Sequence, residues 1–183
     1  RLNAAAFLNL SPDHIERHGS VTGYLKSKKR IFANQTKDDL SVIGVDDDYA
    51  QSVCTELMAK DASEVRPISS GSALGRGVYA LDGKIYCNLD GKSLLAGDLA
   101  GARSLRGPHN WQNAAAAIAV CEKFGVSPAL AVQAALYISI QLPYLETALL
   151  HLMGAMDERL YFACCCALFV VRTLVWVMYP DQL

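Results

Sequence analysis

The sequence predicts an α/β domain with a mainly parallel sheet, helices on its faces and an antiparallel hairpin. Three observations carry that expectation. Short, nearly continuous apolar runs alternate with amphipathic or alanine-rich segments, as strands buried on both faces alternate with crossover helices. Serine, aspartate or glycine stands at most of the joins, where helix caps and stops are expected. A stretch of strand-like residues folds back about Asp82-Gly83, a pair suited to a two-residue hairpin turn.

The elements follow in order. Residues 4–10, "AAAFLNL", suit a buried strand that ends at Ser11-Pro12-Asp13. Ser20 is placed to cap a helix running to about Asn34. "LSVIGV" (residues 40–45) is a second buried strand, and Asp46-Asp47-Asp48 opens the next helix, since negative charge suits the positive end of the helix dipole. "VRPIS" is a third strand, "GVYALDGKIYCNLDG" a hairpin with a second Asp-Gly turn at Asp90-Gly91. "WQNAAAAIAVCEKF" is a helix stopped by Gly125, and "SPALAVQAALYIS" a second one with Ser127 as cap and Pro128 in its first turn.

With 183 residues, 52% of them hydrophobic, the chain can bury one sizeable core. Lys+Arg total 17 against 18 Asp+Glu, a balance unlike the clearly basic domains that bind nucleic acid. Of the 6 cysteines, Cys54, Cys87 and Cys121 are isolated and Cys164, Cys165 and Cys166 consecutive. Neither pattern has zinc-site spacing or the density of a secreted disulfide scaffold, so they read as reduced thiols in a cytoplasmic protein. The first residue is Arg1, preceded by no Met, so the chain reads as a fragment or a processed piece.

Past residue 135 the character changes. Residues 136–183 are apolar, with few charges and little turn grammar, and are expected to form a helical tail. Residues 160–179 are about long enough to cross a bilayer, but Arg172 sits inside that run at about 2.5–3.5 kcal/mol near the centre. A non-enzymatic, membrane-associated protein using this tail is therefore the alternative reading. A disturbed reading frame would also explain the change.

Phosphate loops are absent where they are easiest to look for. "DGKS" (residues 90–93) has the end of a Walker A motif, but Tyr86 stands where its first glycine belongs, and "GSALGRG" does not fit the dinucleotide fingerprint. Both read as loops.

Three other stretches point to chemistry. In "YLKSKKRIF", Leu25, Lys28 and Phe32 fall within roughly 40° of Val21 on a helical projection. Lys26 and Arg30 fall opposite, and Lys29 lies at the margin. Lys26, Lys29 and Arg30 are then solvated charges, and Lys28 projects into the apolar stripe. There it must snorkel, pair with a carboxylate or lose its proton; a neutral amine is a nucleophile, including toward carbon dioxide. In "NLSPDHIERHGS", His14 and His18 follow a strand end beside Asp13 and Glu16; His14 could meet a metal or a phosphate, or be a surface histidine of a capped loop. In "GPHNWQN", Asn110 and Asn113 are three apart and share a helical face, where amides can present the donors and acceptors that an adenine edge requires. Capping by Asn110 alone is the competing reading.

Together, "LNLSPDHIERHGSVTGYLKSKKRIF" and "GPHNWQNAAAAIAV" resemble the central-domain signatures of the Mur ligase family, over roughly residues 2–127. Pro12, Arg17 and His109 resemble the branch that adds D-glutamate to UDP-N-acetylmuramoyl-L-alanine. The resemblance implies an ATP-dependent amide ligase working through an acyl phosphate. It implies that His14 ligates magnesium, that Lys28 is carbamylated and faces a second magnesium, and that Asn110 and Asn113 contact the adenine. The family's Gly-Lys-Thr loop and catalytic glutamate have no counterpart here, and "QLPYLET" keeps only Leu142-Pro143 of its later Gly-Leu-Pro-His-Arg segment. The expectation is a partial, ATP-binding central domain over residues 1–135, lacking its phosphate loop and inactive alone, followed by a tail that does not match the family.

Overall fold

The computed structural model describes residues 2–10 and 20–141. His14 and the rest of the Pro-Asp-His loop lie outside the described residues. So do the cysteine triplet and residues 160–179.

β1 (Ala4–Phe7) is followed by Leu8 and Leu10, which stay buried although the strand has ended. Ser20 caps α1 (Val21–Lys28) by accepting from the Gly23 amide, as the sequence predicts. The helix does not continue to Asn34. At Lys29 it tightens into a 3₁₀ turn (Lys29–Phe32) that buries Phe32. Tighter winding changes which side chains face inward: Lys29, expected to be solvated, pairs with Glu56 on the neighbouring helix, both groups being partly buried.

β2 (Leu40–Gly44) is buried at every position. Asp47 caps α2 (Asp48–Lys60), accepting from the Ala50 amide at 2.9 Å. β3 (Glu64–Ser69) follows, then β4 (Gly77–Leu81) and β5 (Lys84–Asn88), joined by Asp82-Gly83 with φ of 51° and 84°. Two positive φ values in sequence make the turn whose twist matches a hairpin.

The Asp90-Gly91 turn leads into a further strand, β6 (Ser93–Asp98), which the sequence reading did not identify. It is an edge strand with Leu94 67% and Leu95 58% exposed, so it lacks the alternation that betrays a half-buried strand. A 3₁₀ turn (Arg103–Leu105) precedes α3 (Pro108–Lys123), and α4 (Pro128–Gln141) runs without a break across residue 135. Ser127 accepts from the Leu130 amide at the start of α4.

The six strands lie in the order β1-β2-β3-β4-β5-β6, parallel through β4 and antiparallel after it. One face packs Val42, Ile68, Val78 and Ile85 against the alanines of α3 and against Val132 of α4. The other packs Phe7 and Ile43 against Val53 and Leu57 of α2 and against Phe32. Burial on both faces explains why the strands read as continuous apolar runs. No helix among the described residues is long and apolar enough to cross a membrane.

Gly44 ends β2 where the chain leaving β1 passes directly over it. A Cβ there would lie 1.8 Å from the Leu8 carbonyl oxygen, which is backbone and cannot step aside. Gly91, with φ of 76°, has open space around it. Gly44→Ala is expected to destabilise the chain by more than about 3 kcal/mol, and Gly91→Ala by only about 1–2 kcal/mol of backbone strain. Urea unfolding of the two variants compares them directly.

Glu56 also takes Lys60, one turn along α2. Hydrogen bonds from Lys29 and then Lys60 hold its carboxyl below the ordinary glutamate value of 4.5. A lowered folded pKa adds stability above the unfolded value, and that stability is lost as pH falls through the folded one. Glu56→Gln should therefore unfold at lower urea than wild type at pH 7, and the gap should close as pH is taken below 4.5. A gap that persists in acid would assign the effect to packing.

Candidate functional site at the carboxyl edge of the sheet

Polar groups collect where β1, β2 and β3 end. Open parallel sheets bind ligands at this edge, because loops and helix N-termini converge there. α3 runs antiparallel to β3. Near its start Gln112 donates to Asp46, just beyond β2, at 2.8 Å, and at its end Lys123 meets Glu64 at the beginning of β3 at 2.9 Å. The first turn of α3 therefore opens onto the carboxyl edge.

Asp46 is the centre of this edge. Its Oδ1 accepts from the Ser69 hydroxyl, and its Oδ2 accepts from the Ser70 amide at 2.8 Å, the Ser70 hydroxyl at 3.2 Å and the Gln112 amide. Ser69 in turn accepts from the amides of Gly71 and Ser72, folding the loop after β3 around its hydroxyl. Gln112 also accepts from Asn9 at 3.3 Å, and Leu10 donates to Asp47 at 3.3 Å. The stem of the Pro-Asp-His loop is thereby tied to β2 and α3.

Asn110 and Asn113 lie on the first two turns of α3, half-buried. Asn110 donates to the Arg106 carbonyl at 2.8 Å. It does not occupy the cap position, which falls to Gly107 at φ 95°. The indole Nε1 of Trp111 is buried and has no hydrogen-bond partner among the described residues.

Lys28 is the last residue of α1, half-buried, with its ammonium 5.0 Å from the centre of the Tyr24 ring. The stripe to which it belongs, with Val21, Tyr24 and Leu25, packs on the α2 side of the sheet. Lys28 and the α3 asparagines thus stand on helices that cover opposite faces of the sheet. His14 lies outside the described residues, and among these no cluster of three His, Cys, Asp or Glu is arranged for a metal.

"DGKS" spans the turn between β5 and β6, at the amino end of β4 and away from this edge. Cys54 and Cys87 are buried, and burial pushes the Cys87 thiol up to about 11. Such a thiol is inert rather than nucleophilic.

The sequence reading took Asp46 for helix-opening charge and passed over Asn9, Ser69, Ser70 and Gln112. A signal was present: three consecutive aspartates exceed what one cap needs.

Comparison with known proteins identifies the family. The model of the Mur ligase middle domain matches residues 1–121. The chain is 50% identical over 125 residues to the UDP-N-acetylmuramoylalanine--D-glutamate ligase of Caulobacter vibrioides, covering 68% of this chain and 26% of that one. The ligase of the same name from Phenylobacterium zucineum is 48% identical over 125 residues, covering 68% and 27%. That from Rhizobium meliloti is 41% identical over 124 residues, covering 68% and 26%. The chain thus spans about a quarter of the length of these relatives. With a middle-domain match over most of its length and the site at the expected edge of the sheet, the chain belongs to the Mur ligase family.

Proposed function

We propose that the chain is part of an ATP-dependent amide ligase that joins D-glutamate to UDP-N-acetylmuramoyl-L-alanine in peptidoglycan synthesis, a cytoplasmic activity. Residues 1–135 supply a portion of the nucleotide-binding middle domain, and residues 136–183 are a tail unlike the family. The observation that carries the reading is the 50% identity to a ligase named for that reaction.

In this reading the substrate carboxylate attacks the γ-phosphorus of ATP, ADP leaves, and the amine of D-glutamate displaces phosphate from the acyl phosphate. Asn110 and Asn113 face the adenine edge with their amides. Lys28 is the residue assigned to carbamate formation because it makes no ion pair among the described residues that would hold it as ammonium, and it must give up its contact with the Tyr24 ring, which favours the cation. Once deprotonated, the amine adds to carbon dioxide and releases a proton, turning a cation into an anion that would face a second magnesium beside the one His14 would ligate. Magnesium, when bound, neutralises charge on the transferring phosphoryl group.

The 183-residue chain contains no Gly-Lys-Thr phosphate loop, so this chain alone is expected to be inactive. With ATP, magnesium and UDP-N-acetylmuramoyl-L-alanine present, ADP release should not rise when D-glutamate is added. D-glutamate-dependent turnover by the purified chain would overturn that expectation. Incubation with ¹³C-bicarbonate should give a carbamate signal in ¹³C NMR that Lys28→Ala removes, and a signal surviving that substitution would place the carbamate elsewhere.

A further inference from the structure

Gln112 is 4% exposed on a stretch of α3 where, just beyond Asn113, Ala114, Ala115, Ala116 and Ala117 are all buried. An apolar side chain would pack there without the desolvation that an amide costs. The amide is engaged at both ends: its Nε2 donates to Asp46 at 2.8 Å, and its Oε1 accepts from Asn9 at 3.3 Å. Asp46 is anchored by Ser69 and Ser70, and Asn9 belongs to the stem of the His14 loop. Gln112 thereby links α3 to the chain beyond β1, β2 and β3.

The position of these contacts on the helix matters. At 100° per residue, Asn113 lies about 100° and Asn110 about 160° round the axis from Gln112. The asparagines therefore turn away from the sheet as Gln112 turns toward it. Alanine gives a helix face shallow ridges, so packing alone holds rotation about the axis weakly. Two directional hydrogen bonds at Gln112 fix that rotation at the start of the helix, the end that carries Asn110 and Asn113, while Arg66 and Lys123 hold the far end.

We propose that Gln112 is a positioning residue that sets the orientation of the adenine-facing turn of α3 against the stem of the His14 loop. The proposal rests on the nucleotide reading above. A nucleotide has a fixed length, so its base and its phosphates can be held together only if these two elements keep one register.

The test uses the full chain and ATP with magnesium, observed by saturation-transfer NMR at the adenine H2 and H8 protons. Gln112→Met keeps the length of the side chain and removes both hydrogen bonds. It should weaken ATP binding about tenfold and alter the ratio of saturation at H2 and H8. That ratio does not depend on how much protein is folded, so a merely structural role would leave it unchanged. Asn9→Ala removes one bond from a residue that is only partly buried, and should shift the ratio the same way even if Gln112→Met folds poorly. A wild-type ATP signal whose affinity and ratio both variants leave unchanged overturns the positioning role alone. Absence of any adenine signal from the wild-type chain overturns the nucleotide reading, and the role of Gln112 with it.

Discussion

An alanine-faced helix lying on a sheet is free to turn and slide unless polar groups fix its ends, and α3 is fixed at both. Near its start Gln112 meets Asp46; at its end Lys123 meets Glu64, and Arg66 of β3 donates to the Ala119 carbonyl at 2.7 Å and to Glu122. Between these clamps Ala114, Ala115, Ala116 and Ala117 let the helix settle close on the sheet. Close approach yields apolar burial, and the clamps yield direction. The candidate site depends on the second property, because Asn110 and Asn113 face wherever the helix turns them.

The clamp at the far end is made of charges held mostly out of water. Arg66 is buried, and it bridges Glu64 and Glu122 while Lys123 takes the other oxygen of Glu64. Burial is the largest influence on the Glu64 carboxyl and pushes its pKa up, but the hydrogen bonds and positive charges of Lys123 and Arg66 together outweigh it and leave it lowered. A buried ion pair is seldom a large net source of stability, but removing one partner leaves an uncompensated charge. The network therefore constrains more than it stabilises: β3 and α3 must meet in one register or strand a charge in the core.

The parallel core was legible because strands buried on both faces announce themselves as apolar runs, and caps such as Ser20, Asp47 and Ser127 need only local sequence. β6 was not legible, because Leu94 and Leu95 are adjacent, exposed residues at a sheet edge and follow neither helical nor strand alternation. The end of α1 was missed for another reason. After Lys28 the chain tightens into a 3₁₀ turn, and projection at the α-helical angle, which left Lys29 at the margin of the stripe and counted it as solvated, does not follow that change. Asn110 and Asn113 could be paired on paper because they share one helix. The Asp46 hub could not, since Ser69 and Gln112 reach it, and Asn9 reaches Gln112, from three separate parts of the chain that only the fold brings together.

The sheet itself imposes the last constraint. Lys28 belongs to the face covered by α2, and the asparagines to the helix covering the other face. No side chain reaches through a closely packed sheet, and the carboxyl edge, where β1, β2 and β3 end, is where open parallel sheets bind ligands. That edge is where Asp46 draws the strand ends together, and Gly44 lets the chain leaving β1 cross at backbone distance. A looser crossing would lengthen the path between the faces. The small residue at 44 and the carboxylate at 46 therefore serve one end, a close and fixed meeting of segments that the sequence lists far apart.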